Sequence, residues 1–202
     1  MKMFGYGEDA LTLWALANRL GVILEELGDD TDPSACQVFY RPSFGRRGGE
    51  RRSEFGEFDF IILAGSRLYL SESKWDQSSE RIKDGLLELR PEQTRRHEVF
   101  RFYLEHWAYG GYSTWPEFVE KAQPLIAKRL ARDGTRLASN LQTVLGVIKE
   151  HYPSQPVTSD VLLYLYGGEA EKQLPQGVGG TFELVCIDYS AARRGNFIEL
   201  KV

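Results

Sequence analysis

The stretch from Gly56 to Trp75 constrains this chain more than any other. Two strand-like runs, Phe58 to Ala64 and Arg67 to Ser73, flank Gly65-Ser66. A Gly-first pair between such runs predicts a two-residue type II′ hairpin turn, and a turn of that length fixes the register. Ala64 then faces Arg67, Leu63 faces Leu68, Ile61 faces Leu70, Asp59 faces Glu72 and Glu57 faces Lys74. Side chains alternate between the faces of a strand. One face of the ribbon therefore reads Leu63, Ile61, Asp59, Glu57 against Leu68, Leu70, Glu72, Lys74, apolar near the turn and charged at the open end.

Two carboxylates directly opposite each other on one sheet face repel. If they are also partly buried, one carboxyl is pushed up or a positive group sits between them. A divalent cation meets that need, and Mg²⁺ typically takes one or two protein carboxylates with water and phosphate oxygens. Lys74, two residues beyond Glu72 on the same face, supplies a donor beside the metal without being a ligand. The plain alternative is an exposed hairpin with polar ends, in which Glu57 and Lys74 form an ordinary cross-strand ion pair. Glu-x-Lys alone is a weak signal. The independent placement of Asp59 opposite Glu72 favours the metal site.

Gly56-Glu57-Phe58-Asp59, a turn, and then Glu72-Ser73-Lys74 resembles the PD-(D/E)XK nuclease superfamily of restriction endonucleases, archaeal-type Holliday junction resolvases and repair nucleases. The likeness spans residues 5 to 105 and does not reach the C-terminal half. Phe58 stands where the family name has Pro, a position at which members vary. The resemblance implies an α/β fold with a restriction endonuclease-like core, a mixed central sheet flanked by helices. It also implies Mg²⁺-dependent phosphodiester hydrolysis, with Mn²⁺ as a substitute. Asp59 and Glu72 would be ligands and Lys74 catalytic. The family's further carboxylate, in the helix before the first strand, matches Glu8 best. The plain role of Glu8 and Asp9 is to favour a helix dipole. In many relatives the helix after the Glu-x-Lys strand brings polar residues to the phosphate, and Gln93 is the candidate here. Its plain reading is a first-turn surface residue. Many relatives cut two strands as dimers, so a homodimer is compatible with the resemblance. Glu72→Ala and Lys74→Ala are expected to abolish cleavage and leave the fold intact.

Composition sets looser bounds. The chain has 202 residues, 42% hydrophobic and 12% aromatic, enough for a core and against disorder. That length suits a nuclease-like core over 1–110 with a helical and β elaboration over 111–202 packed on the same domain. Two cysteines, Cys36 and Cys186, make neither a disulfide framework nor a zinc pattern, so a reducing cytoplasm is the expected location. No apolar run approaches a membrane span. The net charge of −4 counts mildly against a nucleic-acid partner, since phosphate contacts need Lys and Arg.

Along the chain, Ala10 to Leu27 has helical spacing with Gly28 as C-cap. Cys36 to Tyr40 reads as the first strand. The Gly- and Arg-rich stretch from Arg41 to Ser53 reads as a loop, with Arg46, Arg47, Arg51 and Arg52 candidates for the nucleic-acid backbone, DNA being the expected substrate. The alternative is a solvated linker. A helix starting at Ser78 or Ser79 with Ile82, Leu86 and Leu89 as its stripe is expected, then a helix from Glu92 to Tyr109. His97 and His106 lack zinc spacing and read as surface or packing residues. Trp115 to Arg132 and Thr135 to His151 read as helices. Three strand-like runs, Asp160 to Tyr166, Thr181 to Tyr189 and Asn196 to Val202, are expected as an antiparallel addition that extends the main sheet or stands apart. Two other readings stay open: a catalytically inactive nuclease-fold protein that binds nucleic acid or protein, and an unrelated α+β interaction protein.

Overall fold

The computed structural model describes residues 2–45, 51–78, 82–168 and 174–200. In chain order the elements are β1 (Met3–Gly5), α1 (Gly7–Glu26), β2 (Gln37–Tyr40), β3 (Ser43–Phe44), β4 (Gly56–Glu57), β5 (Phe60–Leu63), β6 (Arg67–Trp75), β7 (Ile82–Lys83) and β8 (Leu86–Leu87). They continue with α2 (Pro91–Tyr103), α3 (Trp115–Ala122), α4 (Arg136–His151), β9 (Val157–Tyr166), β10 (Gly177–Val178), β11 (Glu183–Asp188), β12 (Arg193–Arg194) and β13 (Phe197–Leu200). The fold is mixed α/β, with a central mixed sheet flanked by helices. Among the described residues no helix is long and apolar enough to cross a membrane.

The five-stranded sheet has the order β11-β9-β6-β5-β2, so the ribbon's second strand lies at its centre. β5 runs antiparallel to both β2 and β6, whereas β9 lies parallel to β6 and β11 parallel to β9. One face packs on α1 through Phe60, Ile62, Tyr69, Val161 and Leu163. The other packs on α2, α3 and α4 through Ile61, Leu63, Leu68 and Leu70. All four of these last side chains are fully buried, a contribution of about 1.5–3 kcal/mol each relative to exposure.

The ribbon keeps the predicted register near its turn. Leu63 pairs with Leu68 and Ile61 with Leu70, and the Ala64 N–H donates to Arg67 O at 3.1 Å. Gly65 does not take the positive φ of a II′ turn. Its N–H donates to Thr31 Oγ1 at 3.0 Å, so a contact from outside the hairpin shapes the loop. At the other end the ladder stops at Phe60 opposite Ser71. Glu57 does not face Lys74: β4 leaves the ribbon and pairs with β3, which puts Glu57 against Ser43.

Three other expectations are corrected. Residues 82–87 form a hairpin, not a helix, and Ile82 and Leu86 are exposed. Asp84 and Gly85 sit at φ 52° and 81°, the left-handed pair of a type I′ turn, for which Asp-Gly is a strong signal. The helix from Trp115 ends at Ala122, because Pro124 lacks an N–H and crowds the preceding turn. β9 and β11 are parallel additions to the main sheet, reached from β6 through the helical segment, which is the crossover that parallel pairing requires. The unalternating run Val161-Leu162-Leu163-Tyr164-Leu165, buried throughout, is what a strand covered on both faces demands. Only the last strand-like run, as β13, stands apart, antiparallel to β1 and β12.

Candidate active site

The cleft forms where β5 parts from β6. Asp59 is the first residue beyond the ladder. Its backbone carbonyl accepts from Arg41 N at 2.9 Å, and its carboxylate Oδ2 accepts from Ser73 N at 2.7 Å. A side chain thus replaces the backbone partner that β5 would have supplied. The N–H and C=O of one strand residue point to the same side, so the Ser73 carbonyl also faces the gap, where it accepts from Lys74 Nζ at 2.6 Å.

The opening, about 610 Å³, is lined by Asp59, Glu72, Lys74 and Gln93, with Arg41, Arg90 and Arg96 around them. The structure therefore brings together four of the residues singled out from sequence. Glu72 and Lys74 are almost entirely buried despite their charges, so their partners decide the site. Glu72 Oε1 accepts from Arg96 Nη1 at 2.8 Å and meets His97 Nε2 at 3.2 Å. Its Oε2 accepts from Gln93 Nε2 at 3.0 Å. Gln93 is thus a buried clamp on a carboxylate, not a first-turn surface residue, and its Oε1 accepts from Arg90 N at 3.0 Å. Glu8, from the first turn of α1, lies 3.4 Å from Lys74 Nζ. It meets the ammonium rather than the two carboxylates. Arg51 and Arg52 are exposed and line no part of the cleft, and Arg46 and Arg47 lie outside the described residues.

Behind Glu72 runs a second layer that sequence reasoning missed. His97 is fully buried between the rings of Phe58 and Phe182, each centred 4.8 Å away. Its Nδ1 lies 2.6 Å from Asp160 Oδ1, which also takes Arg101 Nη2 at 2.6 Å. Of its reading as a surface or packing histidine, the packing half holds and the surface half does not, and the ring also bridges a carboxylate on β6 to one on β9. The available signal was spacing. Gln93, Arg96, His97, Phe100 and Arg101 lie three or four residues apart, one face of a helix. Gly56, at φ 115°, completes the arrangement, because a Cβ there would lie 2.9 Å from Arg96 Nε. Arg96 also donates to the Glu57 carbonyl, and Arg41 pairs with Asp9 and Glu57.

The electrostatics separate the carboxylates. Burial, then the neighbouring Glu72 charge, push the Asp59 carboxyl up to about 6, against the pull of Ser73 N–H, Lys74 and Arg96. Burial also presses on Asp160, but His97 and Arg101 outweigh it and hold that carboxyl below its ordinary range. Among the described residues no group of three or more His, Cys, Asp or Glu is placed to hold a metal ion, which argues against an all-protein cage. Two carboxylates and a backbone carbonyl at an open gap fit a hard cation that keeps water and takes phosphate oxygens. Asp59, Glu72 and the Ser73 carbonyl could hold it.

In comparisons with protein-family models, curated proteins and solved structures, the chain matches none.

Proposed function

We propose that this chain is a Mg²⁺-dependent nuclease of PD-(D/E)XK type, hydrolysing phosphodiester bonds in DNA on a restriction endonuclease-like core. The supporting observation is the convergence of Asp59, Glu72, Lys74 and Gln93 on one cleft, with Asp59 and Glu72 close enough that one charge raises the other carboxyl. Mutual repulsion of that kind is relieved by a cation between the two groups. When bound, Mg²⁺, or Mn²⁺ in its place, would polarise the scissile phosphate and lower the pKa of a coordinated water.

The chain's own residues supply the rest. Gln93, Arg96 and His97 fix the Glu72 carboxylate before substrate arrives. Lys74, anchored by Glu8 and the Ser73 carbonyl, presents a positive charge to the phosphate oxygens as negative charge grows on them. Arg41 and Arg90 at the rim suit phosphate oxygens of the flanking backbone. Arg41, Lys74, Arg90 and Arg96 offset the carboxylates of Glu57, Asp59, Glu72 and Glu92 in the lining, so the cleft is charge-balanced within an acidic chain.

The test is cleavage of plasmid, linear single-stranded and branched DNA, and of RNA, with Mg²⁺, with Mn²⁺ and with chelator. Metal-dependent cutting that disappears in Lys74→Ala is the expected result. One observation favours a second reading, an inactive nuclease-fold protein that binds nucleic acid: Arg96 already neutralises Glu72 at 2.8 Å. Tight binding of nucleic acid with no metal-dependent cutting of any substrate selects that reading.

A further inference from the structure

A second concave site opens at the end of β6, around the corner from the cleft. It is lined by Tyr6, Trp75, Gln77, Arg193 and Asn196, above the buried Tyr189 and Ile198. Its volume is about 140 Å³, room for a planar ring rather than for a helix or strand of a partner protein. The walls are aromatic. Tyr6 sits edge-on to Trp75 and to Phe197, with ring centres 6.2 Å apart in each case. Tyr6 is 64% and Phe197 51% exposed, a large apolar area for surface rings. Polar groups stand at the edge: the amides of Gln77 and Asn196, and the Arg193 guanidinium, whose Nε donates to Gly195 O at 2.9 Å.

The position is as informative as the lining. Trp75 follows Lys74 directly on β6, and Tyr6 lies two residues before Glu8, whose carboxylate reaches Lys74. Lys74 and Trp75 point to opposite faces at the end of β6, so the cleft and the pocket open on the two sides of one strand end. Faces of aromatic rings accept any base by stacking, amides read base edges, and a guanidinium meets phosphate.

Resting on the nuclease reading for its choice of ligand, we propose that Tyr6 and Trp75, with Phe197 packed edge-on against Tyr6, form a stacking pocket for an unpaired base of the strand whose phosphate enters the cleft. The substrate class this implies is single-stranded nucleic acid, or a single-stranded segment flanking a duplex. Charge complementarity supports the choice: Arg193 lines the pocket and is exposed, although the chain as a whole is acidic.

The experiment is fluorescence anisotropy in chelator, with the wild-type chain and three labelled probes. These are a short mixed-sequence single strand of DNA, the same strand carrying abasic sites, and a blunt duplex. The expected result is that the base-bearing strand binds most tightly, that Tyr6→Ala weakens it about tenfold and that Asn196→Ala weakens it by a smaller factor. Tyr6→Trp should restore binding, and the abasic strand should bind weakly and equally to all variants. Both positions are exposed, so circular dichroism should match the wild type, and each variant serves as the check should the other misfold. Wild-type affinity for the strand in both alanine variants overturns the pocket, as does equal binding of abasic and base-bearing strands or no binding by the wild-type chain. The two readings fail separately. Loss of the pocket leaves metal-dependent cutting intact, whereas absence of cutting leaves the base-dependent affinity, measured without metal, in place.

Discussion

The two ends of the β5–β6 ribbon are built from the same backbone pairing and differ in almost everything else. At the turn, Leu63, Ile61, Leu68 and Leu70 are sealed under the helical layer, and the one Tyr152 hydroxyl proton is shared between Ala64 O, 2.8 Å from Oη, and Arg67 O, 2.5 Å from it. The backbone there is satisfied and its side chains are apolar. At the open end the ladder has stopped, a carboxylate stands in for a backbone acceptor, and buried charges hold one another in place. One end stores stability that asks for no ligand. The other holds groups whose charges are mutually costly until something enters the gap. Separating the two along a single ribbon lets a rigid hairpin aim a strained cluster.

The sharpest way to break this contrast is Lys74→Ala. It should cut metal-dependent cleavage on the order of a hundred- to a thousandfold, with only a modest fall in melting temperature, since the Glu8 side chain it leaves is 27% exposed and keeps access to water. Initial rates beside thermal melts check both halves. Glu72→Ala is a poorer knockout than the sequence implied. It strips the partner from buried Arg96 and His97, and such a loss costs about 3–5 kcal/mol. At the turn end the outcome reverses. Leu70→Ala should lose about 2–5 kcal/mol of stability in urea, with the rate per folded molecule unchanged.

Asp59→Asn tests the cost of the open end directly. The folded carboxyl, at about 6, lies above its unfolded value, so the protonated form stabilises the fold at low pH. That contribution is complete below pH ~4 and is lost as the pH rises through 6. In chelator the wild type should therefore weaken across this window while the variant does not. At pH 8 the variant should be more stable by up to about 3 kcal/mol, although inactive. Identical melting curves of the two proteins from acid to alkaline pH would remove the argument. The smallest effect is expected of Tyr152→Phe, a loss of about 1–2 kcal/mol with activity intact.

Much of the site was legible because it is local. A turn length gave the register as far as Phe60 and Ser71, and that register carried Asp59 to the end of the ladder, where its carboxylate takes Ser73 N–H instead of a place opposite Glu72. The departure of β4 was not legible, because Glu57 is drawn away by Arg41 and Ser43, partners that only the folded chain brings near. His97 and Asp160 were missed for a related reason: they are 63 residues apart, and nothing in either neighbourhood announces the other. The hairpin at Asp84-Gly85 was a different failure. Its turn signal was present, and the apolar spacing of Ile82, Leu86 and Leu89 outweighed it wrongly. The parallel placement of β9 depends on the long crossover of residues 76–156, through helices, loops and the β7–β8 hairpin, which periodicity cannot trace.

The central position of β6 also bears on how this chain can be divided. Its edge is covered by β9, a strand that belongs to the C-terminal half of the sequence. A fragment ending at residue 110 would contain every described residue that lines the cleft, yet it would present nine residues of bare strand, apolar over Leu68-Tyr69-Leu70, to its neighbours. Such an edge templates association. The residues that would carry the chemistry therefore do not form a portable unit, and any ancestor or designed minimal version of this site must carry its own covering strand.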